Sequence, residues 1–221
     1  TLWLSSGLSI CSAASNQIIP IITSDGTGGA IIAWTDYRSQ STTGSTLADI
    51  YAQRVNGSGN IEWSFNGLSV CTVTTDQTLP QIVSDGSNGA LINWQDSRNG
   101  NWDIYSQRIY NNGTPAWTIN GIPVCNISND QSAPQLVYAG FNSAIQVWQD
   151  SRSGTNVDIF AQKVYMNGAI VDPTIATIAW ATQIVNDPIL SQYLKLEVKD
   201  WDGNVVATQA GTSLAQIATF I

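Results

Sequence analysis

An all-β repeat architecture is predicted by three observations. A motif recurs at a spacing of 54 to 60 residues, short apolar runs alternate with Gly/Asn/Asp turn signals, and helical 3.6-residue periodicity is nowhere sustained. The spacing is read from the tryptophans: sixty residues separate Trp34 from Trp94, and fifty-four separate Trp94 from Trp148.

Unit one carries Gln17–Pro20, SDGTGGAIIAWTDYR ending at Arg38, and DIYAQRV ending at Val55. Unit two carries Gln77–Pro80, SDGSNGALINWQDSR ending at Arg98, and DIYSQRI ending at Ile109. Unit three has Gln131–Pro134, a diverged loop through Gly140, AIQVWQDSR ending at Arg152, and DIFAQKV ending at Val164. The six extra residues of unit one fall within Ser39–Ala48, a Ser/Thr/Gly-rich insertion expected to be an exposed loop.

Each unit reads as four short strands. In unit two the first is the apolar run Gln81–Ser84, followed by an Asp-Gly turn of the kind that closes a hairpin. The second is Ala90–Asp96, and the third is Asp103–Tyr110, rich in β-branched and aromatic residues. The fourth runs through the Gly-x-x-x-Cys segment. Four-stranded units at this period predict a small β-propeller-like protein, with three clear units and a degenerate fourth. The expected boundaries are 17–76, 77–130 and 131–187, with 188–221 a degenerate fourth unit or a small β cap. The segment 1–16 is expected to be a lone fourth strand, Trp3–Cys11, that pairs with the C-terminal sheet or with a neighbouring molecule, because an unpaired strand edge is an aggregation template.

Composition bounds the function. Charged residues make up 11% of the chain, against about 25% in ordinary soluble proteins, so Ser, Thr, Asn, Gln and Gly must cover the surface. That pattern, with a chain opening at Thr1, points to a secreted, processed protein of the extracellular space or cell surface. The net charge of −8, with only eight basic residues, argues against a nucleic-acid partner. No run is apolar for long enough to be a transmembrane segment. Cys11, Cys71 and Cys125 each lie eight residues after a tryptophan, so they are one structural position seen three times. They are expected as small buried hydrophobes without disulfides.

The strongest motif is W-x-D-x-R: Trp34/Asp36/Arg38, Trp94/Asp96/Arg98 and Trp148/Asp150/Arg152. Its residues share one face of a strand, and Arg is expected to bridge an Asp of its own or the adjacent unit and pack on an aromatic ring. Recurrence in every unit favours a structural role, because a catalytic centre needs different groups converging on one substrate. Gln53, Gln107 and Gln162 on the third strand are expected to satisfy backbone groups, and Asp49, Asp103 and Asp158 open that strand. Asp25–Gly26 and Asp85–Gly86 read first as turns. Calcium is conceivable at Asp200, Asp202 and Asn204, whose side-chain oxygens alternate around a Gly, although a plain β-turn explains them without an ion. Asn56, Asn112 and Asn126 lie in glycosylation sequons. With no His and only two Glu, general acid–base chemistry has few candidates, and no cofactor is implied.

The run S-D-G-x-x-G-A-x-x-x-W-x-D-x-R, followed by D-I-Y-x-Q-R and W-x-x-x-G-x-x-x-C, resembles tandem repeats of secreted bacterial surface proteins. It is also loosely similar to the Asp-box blades of sialidase-like propellers, over residues 3–164. Sialidases rely on an arginine cluster, an acid and a Tyr–Glu pair, and no such set is matched here, so the resemblance implies the fold and not that activity. The expected function is a non-catalytic structural or assembly module of a cell surface or extracellular filament. It would associate through blade edges with like subunits or other surface proteins. The alternative is a glycan- or peptide-binding propeller using Tyr37, Trp102 and the Ser39–Ala48 insertion. A glycoside hydrolase is the third reading.

Overall fold

The computed structural model describes residues 3–40 and 46–170, together with the strand backbone of 195–199 and 205–210. The fold is all-β, with no helix among the described residues. The chain divides into two compact units, Thr1–Ile170 and Val171–Ile221. The first holds three antiparallel sheets, none closed on itself.

Sheet one is β1 (Gln17–Ser24), β2 (Ala30–Gln40), β3 (Thr46–Val55) and β4 (Leu68–Cys71), in sequential order. Sheet two repeats it with β5 (Gln77–Ser84), β6 (Ala90–Asp96), β7 (Asp103–Ile109) and β8 (Ile122–Cys125). Sheet three has β9 (Gln131–Gly140), β10 (Ser143–Asp150) and β11 (Asp158–Tyr165). The second unit holds an antiparallel pair, β12 (Lys195–Lys199) and β13 (Val205–Ala210), within the expected degenerate repeat.

Several details differ from expectation. The first strand of each unit begins at the Gln and continues through Pro, interrupted by a bulge. The bulge places Ile19, Leu79 and Ala133, each just before the Pro, at positive φ of 54°, 55° and 50°. Proline is tolerated inside these strands because the bulge already breaks the ladder there. The Ser39–Ala48 insertion is in part strand, since Ser39 pairs with Leu47 and Gln40 with Thr46, lengthening the β2–β3 hairpin. The fourth strand expected of unit three is not among its described residues, which form a three-stranded sheet. Residues 3–16 also form no strand. Segments β4 and β8 pair with the third strand before them, and no described strand precedes residues 3–11 to offer that edge.

The sheets stack face against face. The leading face of sheet one (Ile31, Ala33, Ile50, Ala52) packs on the trailing face of sheet two (Ile82, Ile92, Trp94) in one buried cluster. Leu91 on the leading face of sheet two packs with Ala144 and Met166 of unit three. β6 is buried at every position, as a strand covered on both faces must be. The two junctions differ at their centres. Counterparts of the apolar trio Ala33, Ala52 and Ile92 at the first are Asn93, Ser106 and Gln146 at the second. There Asn93 Nδ2 and Ser106 Oγ both donate to Gln146 Oε1, at 2.9 and 3.0 Å.

Trp94 is fully buried, and its indole edge lies where Gly121 turns at φ +82°; a Cβ on Gly121 would approach Trp94 Cη2 to 2.5 Å. Trp102 is only half-buried, just before β7. Trp94→Ala is expected to lower unfolding free energy by about 3 to 5 kcal/mol. Trp102→Ala should cost less than half of that. Urea titration checks the pair, and equal losses would mean that the burial of these two rings is misassigned.

Candidate functional site

The W-x-D-x-R side chains converge in all three units on one buried carboxylate. In unit two Asp96 Oδ2 accepts Trp94 Nε1 at 2.8 Å and Arg98 Nη2 at 2.6 Å, while Oδ1 accepts Arg98 Nε at 2.9 Å and the Arg98 amide at 3.0 Å. Arg98 lies 3.9 Å over the Tyr105 ring, and its Nη2 also reaches the Asn120 carbonyl and Cys71 Sγ. Unit one repeats this with Asp36, Arg38, Tyr51, Asn66 and Cys11, and unit three with Asp150, Arg152, Phe160 and Cys125. Each Arg therefore bridges the Asp of its own unit and the cysteine that ends the preceding repeat. The cysteines are free. Burial, with the Asp96 charge nearby, pushes the Cys71 thiol up to about 12, so it stays protonated and accepts the guanidinium only weakly.

Burial alone would raise the Asp36 carboxyl, but hydrogen bonds from the Arg38 side chain, Trp34 and the Arg38 amide outweigh it and hold the group below its usual range. The Arg152 hydrogen bond, assisted by Trp148, brings Asp150 down to about 2. These carboxylates are locked as anions and have no free lone pair aimed at solvent, which unsuits them to proton transfer.

A second ion pair went unread in the sequence. Asp25 accepts the amides of Thr27 and Gly29, closing its turn, and also binds Arg54 at 2.9 Å. Asp85 does the same with Ser87, Gly89 and Arg108. Counting back from Trp148, unit three has Ala139 for the Asp and Lys163 for the Arg, so both partners change together. That joint change was the available signal. Arg54 and Trp63 both donate to the Asn111 carbonyl of the next unit, and Arg108 and Trp117 both donate to Met166 O. Trp3 makes the corresponding bond to Gly57 O, so residues 3–16 dock by isolated hydrogen bonds where a strand was expected.

The remaining expected residues are placed as follows. Gln53 Nε2 donates to Ser64 O and its Oε1 accepts the amides of Arg54 and Trp63; Gln107 repeats the pattern with Thr118, Arg108 and Trp117. Gln162 Nε2 donates to the neighbouring Lys163 carbonyl, and Asp158 is exposed. Tyr37 and Trp102 belong to different units. Each ties its backbone to a segment that leads into a first strand, Tyr37 N to Asn16 O and Trp102 N to Asp130 Oδ1. Asn56 and Asn112 hold turns through Ser58 and Thr114, and Asn126 is exposed. Asp200, Asp202 and Asn204 lie outside the described residues. Among those described, no cluster of three or more metal-ligating side chains occurs.

Asp49 accepts the Ser39 hydroxyl, and burial pushes its carboxyl up to about 6. Burial also raises Asp103, against hydrogen bonds from Asn99 and Asn101. Between the ordinary carboxylate value of 3.8 and about 6, folded Asp49 takes up a proton that the unfolded chain does not. Stability therefore falls as pH rises through that window. Asp150 acts oppositely, its contribution being full above 3.8 and lost as pH falls toward about 2. The thermal midpoint is expected to peak near about pH 4 to 5. Asp49→Asn should make the decline above the peak shallower and leave the acid side intact. Circular dichroism melts between about pH 2.5 and 8 check this; an unaltered slope in the variant would show that Asp49 does not titrate there.

No protein-family model matches the sequence, and no curated protein matches it. Among solved structures, an α-L-arabinofuranosidase from Lactobacillus brevis aligns with 66% of this chain at 12% identity and a TM-score of 0.42. The alignment covers 49% of that enzyme, so the chain spans about half its length.

Proposed function

We propose that this chain is a non-catalytic assembly module of the cell surface or of an extracellular filament, and that its three sheets are blades of an open, propeller-like stack. The observation that carries this reading is that positions buried or partly buried at the internal junctions lie open, among the described residues, at the ends of the stack. On the leading face Ile50 and Ile104 are 0% exposed, whereas their counterpart Ile159 is 72% exposed. On the trailing face Ile82 is 7% exposed and its counterpart Ile22 is 64%. Exposed β-branched residues on a sheet face call for a covering surface.

The two ends also match in chemistry. The leading face of unit three presents Ile145, Val147, Ile159 and Ala161, apolar like Ile31, Ala33, Ile50 and Ala52. The trailing face of unit one presents Ile22 and Ile32, apolar like Ile82 and Ile92. A second copy docked head to tail would repeat the first junction. Such heterologous contacts build rings or filaments. The sparse charge suits a surface that associates in this manner, and the locked carboxylates offer no acid–base pair.

Sedimentation velocity over a concentration series tests the proposal. Wild-type protein should form oligomers, and Ile22→Asp and Ile159→Asp should each be monomeric alone. Mixed, the two variants retain one good end each and should stop at 1:1 dimers. Wild-type protein that stays monomeric at about millimolar concentration, an affinity regime of only about 4 kcal/mol, would sink this reading. So would oligomers that survive either substitution.

A further inference from the structure

At the junction of units two and three lies a cleft of about 740 Å³ lined by Tyr110, Trp117, Phe141, Asn142, Tyr165 and Asn167. The repeat supplies an internal control for it. At the corresponding positions of the first junction stand Asn56 for Tyr110, Glu62 for Ala116 and Ser87 for Phe141. There Asn56 Nδ2 donates to Glu62, bridging the site with polar side chains. At the second junction two of these positions have become aromatic, and the third has lost its side chain beyond Cβ.

Phe141 is the sharpest departure. It is 90% exposed and sits at φ +46°, in a loop where units one and two carry Thr27 and Ser87. An exposed phenyl ring on left-handed backbone costs both solvation and strain and is not packed into a core among the described residues. Tyr110 is likewise exposed, with Arg108 5.0 Å over its ring.

We infer that this cleft binds a neutral glycan, with pyranose rings seated against Phe141 and Tyr110. The apolar C–H face of a sugar suits an open aromatic wall, and its hydroxyls suit amide side chains. Asn167 Oδ1 accepts the Ala169 amide, which leaves its Nδ2 to donate outward. Neutrality follows from the lining. It contains no carboxylate, and its one cation, Arg108, is committed to Asp85 and to the Met166 carbonyl. The site departs from the repeat symmetry, whereas the W-x-D-x-R centres recur in every unit. It is independent of the end-to-end assembly, since it uses neither Ile22 nor Ile159.

The test is an array of immobilised neutral and acidic glycans, followed by calorimetry on the hits with the full chain. Phe141→Ser should weaken binding of a neutral hit by about 10-fold or more, and Tyr110→Asn/Ala116→Glu by about 100-fold. Both variants install residues that the first junction already carries, and unchanged thermal midpoints confirm that they fold. Ile22→Asp should bind as the wild type does. The inference is overturned if no neutral glycan binds, if only acidic glycans bind, or if binding is indifferent to both cleft variants.

Discussion

A carboxylate withdrawn from water is stable only when nearly every lone pair has a donor, and this requirement, met at Asp36, Asp96 and Asp150, organises the rest of the chain. Satisfying Asp96 recruits the Trp94 indole from its own strand and the Arg98 guanidinium from just beyond it. Arg98 is then flattened on Tyr105 of the next strand and tied to the Asn120 carbonyl, so one anion spans the second strand, the third and the turn before the fourth. Contact with Cys71 carries the same network into the preceding unit. The aspartate thus acts as the pin of each sheet and as part of the hinge plate between sheets. Its geometry barely varies across three units whose loops differ in length and sequence.

Much of this was legible before any coordinates. Trp and Asp at alternate positions of one strand share a face, so their meeting follows from strand geometry, while in units two and three the Arg turns back to the same carboxylate from just beyond the strand. The role of Gln53 and Gln107 in holding backbone groups also follows from a buried sheet's need for partners. What escaped was contact between distant parts of the chain. Trp63 and Arg54 meet at a backbone carbonyl, that of Asn111, and a carbonyl leaves no residue-type signature to find. Residues 3–16 depart from the strand expected of them for a related reason. Their pattern copies that of a fourth strand, but strand formation depends on a neighbouring edge, which is a property of other residues.

The aromatic cleft shows a different failure. Ser87 to Phe141 and Asn56 to Tyr110 were visible as repeat differences, yet a diverged loop reads as noise until two such positions are seen to face one space. Departures from a repeat carry the information that the repeat itself cannot, because whatever is common to all units must serve what all units do.

The polar trio Asn93, Ser106 and Gln146 has a consequence for how the chain reaches its native state. Neighbouring repeats of similar sequence invite a nascent sheet to dock on the wrong partner, a characteristic hazard of repeat proteins. Seating sheet three directly on sheet one would bury Gln146 against Ala33 and Ala52 and deprive its Oε1 of the two donors it has at the native junction. Seating sheet one in the place of sheet three would set Asn93 and Ser106 against Ile32, the sheet-one counterpart of Ile92 and Gln146. A buried polar group left without its partner costs about 1 to 3 kcal/mol, which favours the native order of the sheets over the misordered ones. A seam that looks weakened by three polar side chains thus gives the second junction a chemistry that the first does not share, and each sheet face fits one neighbour better than another.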